Sequence, residues 1–168
     1  MKKILFSILL LAIPLLASAI GVKNADGVTI YYNYIKNGTE LEVTRNGKYS
    51  AKTINIPEEV TVDGIKYPVT SIGIYAFSSC SGLTSVNIPN SITSIGQEAF
   101  SYCSGLTSVV IPNSVFSIGV EAFRNCTSLT SVSIGSSVTN IDSSAFNGTG
   151  WYNLQNNGLL YLDNILIG

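Results

Sequence analysis

A 23-residue period runs through the middle of the sequence and limits what the chain can fold into more than any other feature. The repeating stretch begins at Val69 and ends at Phe146, and it contains three copies of one unit and the start of a fourth. A unit repeated at a fixed interval predicts a solenoid of stacked coils. The period is visible at four independent columns: Ile72, Ile95, Ile118 and Ile141; Phe77, Phe100, Phe123 and Phe146; Cys80, Cys103 and Cys126; Leu83, Leu106 and Leu129.

The apolar pattern inside the unit indicates the kind of solenoid. Each copy contains L-x-x-L-x-L, as in Leu83, Val86 and Ile88. At a period of roughly 20 to 30 residues, this pattern is the signature of a leucine-rich-repeat solenoid. The alternation around Val86 predicts a strand, whereas the spacing from Ala76 to Leu83 predicts a helical or 3₁₀ turn. We therefore expect a β-rich leucine-rich-repeat solenoid of 23-residue coils, with one parallel strand per coil and short helical or 3₁₀ turns.

The extended segments of the unit define an exposed face. Strands that recur once per coil lie parallel, and alternate side chains of each strand point away from the core. A second, short extended segment is expected around Val69 and Ile72, ending at Gly73. The outward positions of the main strand are small, neutral and rich in hydroxyl groups, and they form the candidate binding face: Ser85, Asn87, Ser108, Val110, Ser131 and Ser133.

The residues before the repeats predict a different kind of structure. Residues 20–52 contain β-branched and aromatic runs separated by turns, which predict an N-terminal antiparallel β cap over the first coil. The solenoid is assigned to residues 53–150. Within it, residues 60–68 predict an inserted hairpin that turns at Asp63-Gly64, a dipeptide suited to a type I′ turn.

The pattern breaks after the fourth phenylalanine column. Residues 151–168 predict a terminal cap, in which Trp151 covers the last coil, followed by a hairpin around Asp163-Asn164. The hairpin stops in mid-strand at Gly168. We therefore expect that the sequence represents the N-terminal part of a longer natural protein.

The first 19 residues predict export. Lys2 and Lys3 precede an apolar run, and an Ala-Ser-Ala sequence offers a cleavage site before Ile20, so residues 1–19 are interpreted as a secretory signal peptide. A transmembrane anchor is the alternative interpretation. The apolar run falls short of the roughly 20 residues that a membrane-spanning helix needs. The expected location is therefore secreted or at the cell surface.

Charge and composition narrow the expected partners. The chain has 9 Lys and Arg residues against 10 Asp and Glu residues, and loss of Lys2 and Lys3 with the signal peptide makes it more acidic. No basic cluster remains to bind phosphates or anionic lipid, so a nucleic-acid partner is not expected. No second apolar stretch reaches membrane length, so membrane insertion is not expected after the signal peptide is removed.

The three cysteines occupy one column of the repeat, at Cys80, Cys103 and Cys126. Neighbouring positions in a column are about 4.8 Å apart, which lies within the Cα range of a disulfide. Their Cβ vectors run parallel, however, whereas a bridge needs Cβ atoms about 3.8 Å apart. Two arrangements follow: a buried ladder of three thiols, or one oxidised adjacent pair that leaves the third cysteine free.

Composition also excludes several kinds of chemistry. The chain has no histidine, so histidine-dependent triads and histidine metal sites are excluded. Glu98 and Glu121 share a column, and they form either a solvated pair or a Ca²⁺ or glycosidase-like carboxylate site. Tyr75 and Tyr102 are either singly exposed or part of an aromatic patch for sugars. We assign no catalytic, metal or cofactor-binding residue.

The repeated unit L-T-S-V-x-I-P-x-S-V-T-S-I-G-x-x-A-F-x-x-C closely resembles the BspA-like class of bacterial surface leucine-rich repeats. The resemblance covers roughly Thr53 to Phe146, and G-x-x-A-F-x-x-C-x-x-L-T-S-V recurs in it without gaps. It implies a secreted or surface-exposed protein without catalytic residues. It also implies adhesion to host extracellular-matrix proteins, to other bacteria or to host receptors.

Two hypotheses for the function follow from the sequence. The first is a non-catalytic, secreted or cell-surface protein-interaction module of the adhesin type, with a host-matrix or cell-surface partner. The alternative is a carbohydrate-binding or spacer region of a larger secreted enzyme, so a glycan partner stays open. A surface-anchoring module or further repeats after Gly168 would favour the first, and a hydrolase domain would favour the second.

Overall fold

The structure is a computed structural model that describes residues 19–154, 160–162 and 165–167. The predicted signal peptide lies outside the described residues except for Ala19. A 3₁₀ turn at Lys36–Gly38 follows the second strand. In chain order the strands and the helix are β1 (Ile20–Lys23), β2 (Thr29–Ile35), β3 (Glu40–Thr44), β4 (Thr53–Asn55), β5 (Glu59–Val62), β6 (Ile65–Ile72), β7 (Ser85–Asn87), β8 (Ser94–Ile95), β9 (Ser108–Ile111), β10 (Ser117–Ile118), β11 (Ser131–Ile134), β12 (Asn140–Ile141), α1 (Gly150–Leu154), β13 (Leu160–Leu162) and β14 (Ile165–Ile167).

The L-x-L part of each repeat forms a strand of what we call the front sheet. The name covers two parallel pairs of strands, β4 with β7 and β9 with β11, and the two pairs lie next to each other along the solenoid. Each strand residue pairs with the equivalent residue of the neighbouring coil, so Val86 pairs with Ile54 and Val132 with Val109. Apolar side chains at alternate positions point into the core, as the period-two pattern predicts. The β-rich leucine-rich-repeat solenoid is confirmed.

A second sheet, the back sheet, lies on another side of the coils. Its order is β1-β2-β3-β6-β8-β10-β12, and pairing is antiparallel from β1 to β3 and parallel from β3 to β12. The short extended segment expected around Val69 and Ile72 is therefore a true strand, reduced to two residues in β8, β10 and β12. Each of these coils contributes to both sheets, instead of the one strand per coil that the sequence predicted.

The third side of each coil is a series of turns without a continuous helix. In the first full repeat, Ala76, Ser78 and Cys80 donate backbone hydrogen bonds to the carbonyl three residues earlier. The residues Tyr75 and Ser79 have φ of 58° and 63°, which turns the backbone between these bonds. Alternate N–H groups are thereby free to bond the next coil, as in Phe77 N–H to the Ala99 carbonyl at 2.7 Å. All three sides of the coil thus satisfy backbone donors between coils.

A stack of aromatic rings runs through the core along the solenoid axis. Phe77, Phe100, Phe123 and Phe146 lie parallel with centroids 5.1 Å apart, and they are fully buried. Tyr49 packs on the first of these rings at 5.0 Å. The phenylalanine column of the sequence is therefore the centre of the core, and Tyr49 covers its N-terminal end.

The N-terminal strands join the solenoid through β3. This strand pairs antiparallel with β2 and parallel with β6, where Leu41 lies opposite Val69. Strands β5 and β6 form an antiparallel hairpin. Its two turn residues, Asp63 and Gly64, have φ of 50° and 82°, as a type I′ turn requires.

The C-terminal end of the described solenoid is closed by α1. Thr149 stands where the three preceding coils have cysteine, and its hydroxyl donates to the Phe146 carbonyl at 2.8 Å. The same oxygen accepts the Tyr152 N–H at 3.0 Å and so caps α1. The Trp151 ring lies 5.1 Å from the Phe146 ring at an angle of 65°. The change from cysteine to threonine thus ends the turn pattern and starts the helix that covers the aromatic stack.

Candidate binding face

The front sheet places all six residues of the candidate binding face on one exposed surface, which we call the front face. Ser108 pairs with Ser131 and Val110 with Ser133 across β9 and β11, while Asn87 of β7 pairs with Asn55. Val110 is 66 % exposed. The members of the front face, all solvent-exposed, are Ser85, Asn87, Ser108, Val110, Ser131 and Ser133.

The chemistry of the front face is uniform and uncharged. A further hydroxyl column, Thr84, Thr107 and Thr130, is exposed beside the serines. The face therefore offers closely spaced hydrogen-bonding groups around one exposed apolar side chain, Val110. Such a surface suits a partner that is recognised by shape and hydrogen bonding, because depletion of charge is typical of interface cores.

The N-terminal edge of the front sheet is covered by a loop that the sequence did not identify. The Asn24 side chain donates to the Asn55 carbonyl at 2.9 Å, and Asn55 Nδ2 donates to the Asp26 carboxylate at 2.6 Å. These bonds link a loop to a strand about 30 positions later, so no local sequence pattern predicts them. Asp26 contributes a carboxylate at this end of the otherwise neutral face.

The back sheet also exposes an aromatic residue that the sequence interpretation missed. Phe116 is 55 % exposed and lies between Thr93 and Thr139, to which it is joined by backbone hydrogen bonds of 2.9 and 3.0 Å. The signal was present in the repeat, because Phe116 stands in a column that is threonine in the other coils. A ring exposed among hydroxyl groups is a second candidate contact point.

The carboxylate pair of the third side is engaged by neighbouring side chains. Glu121 forms an ion pair with Arg124 at 2.7 Å. Glu98 accepts a hydrogen bond from Tyr75, and this bond together with the charge of Glu98 raises the pKa of the Tyr75 hydroxyl. Across the described part of the chain, no group of three or more His, Cys, Asp or Glu side chains is placed to hold a metal ion. The Glu121 carboxylate is thus engaged by Arg124, as expected for a solvated surface pair.

The three cysteines form the buried thiol ladder. Cys103 donates to the Phe77 carbonyl at 3.1 Å, and Cys126 donates to the Phe100 carbonyl at 3.1 Å. The neighbouring Cys126 thiol and burial raise the pKa of Cys103, and burial raises the pKa of Cys80. All three are free thiols. Because the thiolate is the reactive form, these thiols should be chemically inert in the folded protein.

A thiol titration without reductant checks this arrangement. We expect the folded mature chain to react slowly with a disulfide reagent and to release three equivalents only after denaturation, because all three thiols are buried. The control is the same titration after prior reduction, which should give the same three equivalents. Mass spectrometry that found Cys80 bridged to Cys103, or Cys103 to Cys126, in most molecules would contradict the ladder.

The fold and its columns define a leucine-rich-repeat solenoid. Residues 46–158 match the BspA type Leucine rich repeat region in six copies, and the chain belongs to this family. A solved leucine-rich repeat protein from Bacteroides capillosus is similar, with 29% identity and a TM-score of 0.69 over 80% of this chain and 94% of that chain. This confirms the family resemblance. No curated protein sequence matches the chain.

Two further solved structures share the fold. The T. pallidum Leucine Rich Repeat protein has 24% identity and a TM-score of 0.56, over 70% of this chain and 64% of that chain. The pneumococcal vaccine antigen PcpA has 18% identity and a TM-score of 0.52, over 79% of this chain and 48% of that chain. The chain is thus a repeat module similar to bacterial leucine-rich-repeat proteins. No helix in the described residues is long and apolar enough to span a membrane.

Proposed function

We propose that the chain is a non-catalytic protein-interaction module of the adhesin type. It is exported by its signal peptide, with cleavage before Ile20, and acts in the medium or at the cell surface. The front face binds a protein partner on another cell or in a host extracellular matrix. Membership of the BspA-type family and similarity to bacterial leucine-rich-repeat proteins support this proposal.

The observation that carries the proposal is the exposed neutral surface around Val110. Its 66 % exposure is the highest among the large exposed apolar side chains of the described residues, and serines and an asparagine surround it on the same sheet face. The inward residues of the same strands hold the fold, so the outward residues carry no packing requirement. A surface of this kind can be adapted to a partner without loss of the solenoid.

A triple substitution of the front face tests the proposal. Asn87→Glu, Val110→Glu and Ser133→Glu project outward, so each should change stability by under about 0.5 kcal/mol. Binding to immobilised matrix proteins or labelled cell-surface extract should weaken at least tenfold, because each new charge would be buried without a counter-charge. Surface plasmon resonance measures binding, and circular dichroism checks that the variant is folded.

A matched triple substitution on the third side is the control. Gln97, Val120 and Ser143 form an exposed column, and charging them should leave binding unchanged. If both variants are folded and only the control set loses binding, the binding surface has been assigned to the wrong side of the coil. Equal binding by both variants and the native chain would also contradict the proposal.

A carbohydrate-binding role in a larger secreted enzyme is the second candidate. The specific observation in its favour is Phe116, a half-exposed ring that lies just before β10 and is flanked by threonines of the neighbouring coils. A sugar ring stacks on an exposed aromatic face while hydroxyl groups bond its edge. Affinity electrophoresis in gels that contain soluble polysaccharides tests this role, with Phe116→Ala as the variant. Retardation that Phe116→Ala removes would support carbohydrate binding, and an absence of retardation would count against it.

A further inference from the structure

A cleft at the N-terminal end of the solenoid lies outside the front face. It has a volume of about 400 Å³ and is bounded by two segments of the N-terminal cap. Residues 27–29 and Tyr31 form one wall, and Asn46 and residues 48–51, in the connection from β3 to β4, form the other. We call this site the cap cleft. Its volume falls within the range of ~300–1,000 Å³ that is usual for small-molecule sites.

The base of the cap cleft is held in place by the core. Tyr49 is the buried residue among those that line the cleft. Its hydroxyl donates to the Thr44 carbonyl at 3.1 Å and accepts the Tyr31 N–H at 3.1 Å, and its ring packs on Phe77 at 5.0 Å. Burial raises the pKa of Tyr49 to about 12, so the phenol stays neutral at physiological pH and does not repel an anion.

The wall formed by residues 27–29 is also fixed by hydrogen bonds. The Asn24 side chain accepts the Asp26 N–H at 3.0 Å and the Val28 N–H at 2.9 Å, which closes the loop after β1. The same side chain donates to the Asn55 carbonyl and ties the loop to the front sheet. Asp26, the acidic residue of this loop, accepts the Asn55 amide at 2.6 Å. A ligand therefore meets a wall that is already ordered, which lowers the cost of binding.

The other wall brings positive charge to the cleft. The mature chain has seven basic residues, nine less the two of the signal peptide, and three of them are Arg45, Lys48 and Lys52. No acidic residue stands between Glu42 and Glu58. The ion pairs of the described residues involve none of these three cations. Lys48 is the cation that lines the cleft, and it is exposed.

The residues around Lys48 are neutral and polar. Thr29, Asn46 and Ser50 supply hydroxyl and amide groups, and Tyr31 supplies a partly buried aromatic ring. This combination suits a hydroxylated ring that carries one carboxylate, because hydroxyl groups pair with the polar side chains and the sugar ring packs on the aromatic residue. The carboxylate then forms a charge-assisted hydrogen bond with the ammonium group. A polymer of phosphates would need a more extended basic surface.

We propose that the cap cleft binds a carboxylate-bearing sugar of the uronic acid type, with Lys48 as the partner of the carboxylate. The site is separate from the front face and from Phe116, so it does not depend on what either of them binds. It gives the module a second contact, to an acidic glycan, at the end where the solenoid begins.

Titration of the mature chain with glucuronic acid, followed by two-dimensional amide NMR, tests the proposal. We expect shift changes at Thr29, Tyr31 and residues 46–51, and none on the front face. Glucose has the same ring without the carboxylate, and acetate has the carboxylate without the ring. Each should bind at least tenfold more weakly than glucuronic acid. No shift changes with glucuronic acid, changes confined to other residues, or equal binding of glucose would overturn the proposal.

Three variants separate the cleft from the general charge of the segment. Lys48→Gln should raise the dissociation constant of glucuronic acid about tenfold. Asn46→Asp should raise it at least as much, because a carboxylate of the same shape would repel the ligand. Lys52→Gln is the matched control, since it removes the same charge from the same segment at a residue that does not line the cleft, and it should change the constant by less than about twofold. All three residues are exposed, so the variants should keep the native spectrum. Equal losses for Lys48→Gln and Lys52→Gln would overturn the assignment to the cleft.

Discussion

Phe100→Ala is expected to lower the free energy of unfolding by about 3–5 kcal/mol. The Phe100 ring is fully buried and stacks at 5.1 Å on Phe77 on one side and on Phe123 on the other. Its removal leaves a cavity between two coils, and neither neighbouring ring can fill it because each belongs to a coil held by backbone hydrogen bonds. Urea denaturation followed by circular dichroism measures the loss.

Phe116→Ala is the matched control for this experiment. It removes the same side chain from a position that is 55 % exposed, so the unfolding free energy should change by under about 0.5 kcal/mol. The comparison separates the packing contribution of the stack from the general effect of losing a phenylalanine. A loss below about 1 kcal/mol for Phe100→Ala would mean that the phenylalanine column does not support the core.

Gly96→Ala is expected to lower the unfolding free energy by about 1–3 kcal/mol, the usual range for overpacking. A Cβ atom at Gly96 would lie 2.9 Å from the Gly73 carbonyl carbon and 3.0 Å from the Ile72 oxygen. Both atoms are backbone, so the contact is relieved only by separating the coils. That separation would lengthen the Gly96 N–H bond to the Ile72 carbonyl, which is 2.7 Å.

Gly82→Ala is the control, because a Cβ atom there meets nothing within 4 Å. Gly82 does not need a left-handed backbone, so alanine should be neutral or stabilise by about 0.4–1 kcal/mol through the unfolded chain. In the fourth coil a side chain is present at the equivalent position, because Asp142 stands in the glycine column. Its N–H bond to the Ile118 carbonyl is 3.1 Å, longer than the 2.7 Å of the Gly96 bond. Equal stabilities for Gly96→Ala and Gly82→Ala would contradict close coil contact at Gly96.

The sequence predicts the fold well because the same pattern of apolar residues recurs in every repeat. The phenylalanine and leucine columns identify the buried side of each coil, and the alternation around Val86 identifies the front strand. The sequence does not predict the length of the second strand, because only two residues per coil pair there. Nor does it predict the left-handed backbone at Tyr75 and Glu98, residues that rarely adopt it. There the bonds between coils override local preference.

The candidate site is predictable only in its position. The period-two pattern places Asn87 and Val110 on the outside, and the structure places both there. The Asn24 contact with the front sheet joins residues far apart in sequence, and Asn24 lies outside the repeats, so the repeat pattern does not predict this contact. Phe116 could have been found by asking which residue breaks an exposed column. Packing does not constrain the outward residues, so the repeat pattern contains little information about which residue types stand there.

The regular spacing of the aromatic stack has a consequence for how such a chain can change in length. Each step from Phe77 to Phe146 measures 5.1 Å, and the angle between successive rings falls from 18° to 6° to 1°. A coil inserted by recombination between these near-identical repeats would meet the same neighbours above and below. Tyr49 and Trp151 would still contact only the terminal rings. The length of the solenoid can therefore evolve in steps of about 5 Å, one coil at a time, without any change in how the core residues pack.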